Sequence, residues 1–177
     1  MIIIEGPNGS GKSTLAKQLS EKTGVAVIHS SGPPKTPEDH VAQLSKYAKM
    51  KGLAILNRTP WISHPIYEMV LYKREFRTSW PLYHGGMEAQ RTPIVYCRPP
   101  DETIKAEIAR QIPTKNKSTD YLQKLRRCDA TLITAYDDFM DSIKNCYRYD
   151  WTWQGADLLV TAFVRGLQRL KAVTSHT

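Results

Sequence analysis

An apolar run and an acid, Met1 to Glu5, lead straight into Gly6-Pro7-Asn8-Gly9-Ser10-Gly11-Lys12-Ser13-Thr14, and behind them Leu15, Ala16 and Leu19 recur at helical spacing. No other stretch limits the fold so tightly. The glycines let the chain curl until successive backbone N–H groups face one anion, and the positive end of the following helix adds to their pull. A G-x-x-x-x-G-K-[ST] pattern between a strand and a helix therefore specifies a cradle for the phosphates of ATP, built by Gly6, Pro7, Asn8, Gly9, Ser10, Gly11, Lys12, Ser13 and Thr14. Lys12 reaches the β and γ phosphates as a point charge, and the Ser13 hydroxyl takes one position on a Mg²⁺ ion held mostly by those phosphates.

The remaining sequence alternates. Short apolar runs recur as Val25 to His29, Leu53 to Asn57, Ile94 to Arg98 and Cys146 to Trp151, with helical patterns between them. The first helix is predicted to reach about Lys22 and stop at Gly24. The second covers Pro37 to Lys49, with Val41, Leu44 and Ala48 inward and Gly52 as its stop. One long helix is predicted from Tyr121 through Leu132, Tyr136, Phe139 and Ile143. A last amphipathic stripe carries Ala156, Leu159, Val160, Phe163, Leu167 and Leu170. Strand and helix in alternation mean right-handed crossovers, hence a five-stranded parallel sheet flanked by helices in a three-layer α/β fold. No linker or repeat divides the 177 residues, so 1–177 reads as a single domain.

In such sheets ligands bind beyond the carboxyl ends of the strands, and the residues just after each run become the candidates. Arg58 follows the third run, where a guanidinium grips a second phosphate with two parallel hydrogen bonds. Arg98 follows the fourth, and serves the acceptor or the lid, or else pairs with a carboxylate. His29 ends the second run and lines the acceptor pocket, unless it is an ordinary edge residue. Trp61, Tyr67 and Tyr72 offer rings to a base, Tyr67 first among them. Two irregular stretches, 73–93 and 111–119, read as loops over the site. A lid is expected around 110–127, with Arg110 and Lys117 as closing cations. Lys12, Arg58, Arg98 and Arg110 are thus the candidate catalytic cations. Asp129, in phase with an apolar stripe, is the expected counter-ion of Arg98 or of a lid residue, and Asp150 is expected to cap the final helix region in preference to approaching the adenine.

Composition narrows the class. Lys plus Arg number 25 against 17 Asp plus Glu, a formal charge of +8 that suits either a nucleic acid or a site for several small-molecule phosphates. The second partner is favoured once the phosphate loop is considered. No run approaches the roughly 18–20 apolar residues of a membrane span, and no basic segment precedes the first apolar run. Three widely spaced cysteines, Cys97, Cys128 and Cys146, suggest neither a disulfide frame nor a zinc site. A cytoplasmic chain is expected.

The opening IIIEGPNGSGKSTLA, then HSSGPPK, NRTPWISHPIY and IVYCRPP, resemble the thymidylate-kinase-like branch of the nucleoside monophosphate kinases, particularly its short phage-type members. The resemblance runs in order and spacing over residues 1–100 and is loose beyond. It implies transfer of the ATP γ-phosphoryl group to a deoxynucleoside monophosphate with Mg²⁺, Arg58 on the acceptor phosphate, Tyr67 near the acceptor nucleoside, a small lid and a homodimer. This chain departs from the family where Asp usually precedes the Arg and where Asp sits in the loop: here stand Asn57 and Asn8. An amide can hold a metal-bound water but brings no charge, so Asn57 reads as a metal residue acting through water. Two other readings remain: a kinase of another acceptor, either a polynucleotide 5′-hydroxyl or a small metabolite, and a nucleotide-binding module with little turnover. A transporter-type ATPase lacks support, since no LSGGQ-like segment is present.

Overall fold

The computed structural model describes residues 1–30, 32, 34, 36–50, 52–73, 92–114 and 117–174, with side chains of the last helix described to 166. Its elements in chain order are β1 (Ile2–Glu5), α1 (Lys12–Thr23), β2 (Val27–His29), α2 (Pro37–Ala48), β3 (Ile55–Asn57) and α3 (Ser63–Tyr67), which continues as a π-helical turn over Glu68–Tyr72. Then follow β4 (Ile94–Cys97), α4 (Asp101–Ala109), α5 (Thr119–Arg127), α6 (Asp129–Asp141), β5 (Cys146–Tyr149) and α7 (Ala156–Thr174). The expected loop over 73–93 lies outside the described residues except at its ends.

The five strands pair in the order β2-β3-β1-β4-β5, all parallel, as the alternating pattern requires. Both faces of the sheet are covered, which is why β1 and β4 read as unbroken apolar runs rather than alternating ones. Ile2, Ile4, Ile55, Val95 and Cys97 face α1 and α7, through Leu15, Leu19 and Leu159. Ile3, Leu56, Ile94 and Tyr96 face the opposite layer, through Leu44, Ile66, Ile104, Leu125 and Leu132. Successive side chains of a strand point to opposite faces, so each strand feeds two cores.

Local signals end the helices where expected. Gly24, with φ 70°, closes α1, and Pro37 behind the Thr36 cap opens α2, the Thr36 hydroxyl accepting from the Asp39 N–H at 3.1 Å. Two expectations need correction. The buried face of α2 is His40, Leu44 and Tyr47, whereas Val41 and Ala48 are exposed: the helix is turned so that its largest ring packs edge-on to Trp61. The long helix from Tyr121 is two helices. Cys128 leaves helical geometry at φ −114°, ψ 11°, and Asp129 opens α6 by accepting from the Ala130 N–H. The expected lid over 110–127 contains a short polar loop, bridged between Thr114 and Lys117, and then α5.

Candidate active site

Register brings the candidates together. Ile4 on β1 is level with Asn57 on β3, and His29 on β2 is level with Asn57 too. The loops leaving β1, β2 and β3 therefore open at one edge of the sheet, beside α1. There they line a cleft of about 800 Å³ with Asn8, Lys12, Ser13, His29, Asn57, Arg58 and Lys117 among its walls.

The phosphate loop has the shape its sequence requires. Gly6 sits at φ 143°, and a Cβ there would fall 2.5 Å from the Cys97 carbonyl oxygen; Gly11, at φ 84°, would meet the Trp151 indole nitrogen at 2.6 Å. That indole donates to the Ser10 carbonyl at 3.1 Å, so the loop after β5 is fastened over the cradle. Lys12 is buried, its ammonium donating to the Pro7 carbonyl and to Ser10 Oγ. Burial, then the Arg58 charge, holds its pKa well below the ordinary lysine value.

Arg58 carries strain. Its φ of 71° is left-handed, a conformation uncommon for a residue with a side chain. Its N–H donates to Ile4 O, and the next N–H, of Thr59, donates to Glu5 Oε1 at 2.6 Å, which holds the turn. The guanidinium is spread over four neutral oxygens: Asn8 Oδ1 at 2.6 Å, the Tyr67 hydroxyl at 2.8 Å, and Ser63 Oγ and the Tyr136 hydroxyl at 3.3 Å each. It also lies over the Tyr67 ring, 4.7 Å from the centroid. Among the described residues neither Lys12 nor Arg58 forms an ion pair. Glu5 lies beneath, fully buried, accepting from Ser63 Oγ and the backbone; burial raises its pKa while Arg58 and those donors oppose the rise. Glu5 attracts both cations from beneath without a direct ion pair to either, and an anion in the cleft would add to that compensation.

Beside Ser13 the amide of Asn57 donates to Ser13 Oγ at 3.1 Å and contacts His29 Nδ1 at 3.2 Å. Ser13, Asn57 and His29 thus meet on one wall of the cleft. Among the described residues no cluster of His, Cys, Asp and Glu could bind an ion by itself.

The other predicted residues divide. Tyr67 is buried, with its hydroxyl on Arg58 and its ring edge-on to Tyr136. Trp61 belongs to the core and Tyr72 is half-buried against it. Lys117 lines the cleft and donates to Gln111 Oε1 at 2.8 Å. Arg110 is exposed and paired with Glu107 on its own helix. Arg98 is tied by Asp137 at 2.9 Å and Asp101 at 2.6 Å, and Tyr96 and Arg148 share the same Asp137 carboxylate. Its partner is therefore Asp137, about two turns further along α6 than the expected Asp129. Asp150 accepts from the Thr152 N–H and hydroxyl, ordering the turn before α7 rather than capping the helix. Ser63, Tyr136 and Trp151 escaped the sequence reading as site residues. Tyr136 was hidden in an apolar stripe, and only its phenol oxygen, which a buried ring must satisfy, pointed to a polar neighbour.

No protein-family model matches the sequence, and no curated protein does. Solved structures do. The YorR protein from Bacillus subtilis, in complex with phosphorylated GDP, superposes with a TM-score of 0.71 at 18% identity, covering 99% of this chain and 98% of that one. Deoxyadenosine kinase from M. mycoides with bound dCTP gives 0.62 at 18% identity over 96% and 100%. Shikimate kinase from Acinetobacter baumannii in complex with shikimate gives 0.51 at 18% identity over 96% and 93%. The chain has the fold of the P-loop kinases.

Proposed function

We propose that this protein is a nucleoside monophosphate kinase of the thymidylate-kinase-like kind, moving the γ-phosphoryl group of ATP to a deoxynucleoside monophosphate to give the diphosphate. The observation that carries the reading is the pair of cations without a direct ion pair, Lys12 in the donor cradle and Arg58 at the tip of β3, on the walls of one cleft. Each suits one anion, and transfer between two anions needs both held in line.

The acceptor class follows from what lines the cleft. A hydroxyl acceptor calls for a general base, whereas a phosphate monoester is already the nucleophile. Among the described cleft residues the one carboxylate is that of Glu107, on α4, away from Arg58 and Ser13 in chain and element, and the one imidazole, His29, has its Nδ1 engaged with the Asn57 amide at 3.2 Å. This favours the monophosphate over the nucleoside or a polynucleotide 5′-hydroxyl. Neighbours whose structures hold nucleotides support nucleotide substrates.

Arg58 binds the acceptor phosphate by exchanging its weak neutral partners, Ser63 and Tyr136, for charged oxygens, with Asn8 and Tyr67 keeping the guanidinium plane in place. Lys12 and the loop amides hold the β and γ phosphates and take up charge on the moving group. Mg²⁺ arriving with ATP would be held by Ser13, with Asn57 beside it, and supplies further charge neutralisation to the phosphates. Lys117 and Arg110 belong to a lid, of which Lys117 faces the cleft, where burial and the Arg58 charge lower its pKa; a phosphate bound beside it would offset both and favour the charged lysine.

Release of ADP, coupled to an optical assay, across the deoxy and ribo monophosphates tests the reading. Acceptor-dependent ADP with at least one deoxynucleoside monophosphate, and none with the matching nucleoside, is expected. ADP formed only with a hydroxyl acceptor, or with no acceptor tried, sinks it.

A further inference from the structure

Asn8 joins two parts of the site that the chain keeps far apart. Its Oδ1 accepts from Arg58 Nη2 at 2.6 Å, and its Nδ2 donates to the hydroxyl of Tyr121, in the first turn of α5, at 2.9 Å. A guanidinium only donates, so the amide oxygen must face Arg58 and the amide nitrogen is left for the phenol. One of the four oxygens around Arg58 is therefore held in place from another element. The Tyr121 ring packs against the core, and its N–H donates to the Ser118 cap at 3.1 Å, so the phenol starts from a fixed base. Lys117, on the cleft wall, stands directly before that cap.

We propose that Tyr121 is a positioning residue for Arg58, acting through the Asn8 amide, so that the seating of α5 sets the orientation of the guanidinium. Its consequence for catalysis rests on the kinase reading above, in which Arg58 meets the acceptor phosphate. The amide does here what a carboxylate cannot. Aspartate at position 8 would accept from both neighbours, yet its charge would pair with Arg58 and compete with the incoming phosphate. Asparagine holds the guanidinium by a neutral acceptor and leaves its charge to the substrate. Without the phenol, the amide nitrogen loses its acceptor and the amide plane is free to turn away from Arg58.

The test reads Arg58 and catalysis separately, in the whole protein. Tyr121→Phe removes one oxygen and keeps the packed ring, and urea unfolding checks that stability is retained. In protein labelled with ¹⁵N-arginine, the Arg58 Nη signals, identified by their loss in Arg58→Lys, should be resolved in the wild type. Rotation should average them faster in Tyr121→Phe, to the same extent as in Asn8→Ala. The kcat/KM for the monophosphate should fall about 5-fold, the size of one neutral hydrogen bond, with KM for ATP unchanged. In the Asn8→Ala background, Tyr121→Phe should lower it no further. Arg58 signals indifferent to Tyr121→Phe, or a full further fall in the Asn8→Ala background, overturn this proposal and leave the kinase reading standing. So does a loss of stability in which KM for ATP and for the monophosphate rise together, since Tyr121 is then a packing residue. Wild-type protein that forms no ADP with any acceptor removes the kinase reading, and the Arg58 signals then decide the link by themselves.

Discussion

At the scale of single residues, the site is governed by where charge is left unanswered. Lys12 and Arg58 are held by neutral oxygens, so each loses little when an anion arrives and gains much. Lys12→Ala should abolish phosphoryl transfer, measured as ADP release. Arg58→Lys should lower kcat/KM for the acceptor by roughly 100-fold, because a point ammonium cannot make the two parallel bonds. Asn57→Asp adds the missing negative charge beside Ser13; Mg²⁺-supported turnover should rise about 10-fold. Gly11→Ala sets a methyl group into the Trp151 indole in a backbone that disfavours side chains. Nucleotide binding should fall, and the tryptophan emission should shift as Trp151 is displaced.

At the scale of elements, α6 is tied to the sheet by one acid. Asp137 receives Tyr96 from inside β4, Arg98 from its end and Arg148 from β5. Burial raises the Asp137 pKa, and the Arg98 and Tyr96 hydrogen bonds and the two arginine charges outweigh it, leaving the value below the ordinary aspartate one. Arg98 is thereby a strut between β4 and α6. Asp137→Ala should cost about 1–3 kcal/mol in urea unfolding, with KM for the monophosphate unchanged. A rise in KM matching the loss of stability would instead return Arg98 to the acceptor site. The break at Cys128 belongs to the same scale. Apolar spacing runs on through it, so periodicity alone reads one helix where the Cys128 backbone divides two.

For the molecule as a whole, the acid limit of stability is set beneath α2 and α3. His40 and His64 are buried there, ring centroids 5.1 Å apart and edge to face. His64 is pushed down to about 3 by burial and then by the His40 ring, against a weak pull from the Gly32 backbone that falls short of a hydrogen bond to either ring nitrogen. Burial takes His40 down to about 4. In the unfolded chain both titrate near 6.5. Below that value the unfolded state binds more protons than the folded one, so stability is intact above about pH 6.5 and is lost as pH falls toward 4 and then 3. Each imidazole contributes up to about 1.4 kcal/mol per pH unit in that window. His64→Phe should flatten the fall, seen as a smaller drop in urea midpoint between pH 7 and pH 5; an unchanged slope would show that other groups set it. Among the described residues no helix is long and apolar enough to cross a membrane.

The amino-acid order by itself determined the alternation of strand and helix, the parallel sheet, the phosphate cradle and the placing of Arg58 on its edge. These follow from spacing along the chain: periods of apolar residues, a glycine pattern and a cation directly after a strand. Tertiary structure decided everything that depends on two distant segments meeting. It chose Asp137 for Arg98 where the stripe suggested Asp129, and turned α2 so that His40 and Tyr47 face inward. It also brought Tyr136 and Ser63 against Arg58 and set His29 beside Asn57. No local pattern encodes a contact across 78 positions, such as that of Arg58 with Tyr136, because it arises only when the sheet's register and the helix packing are both complete.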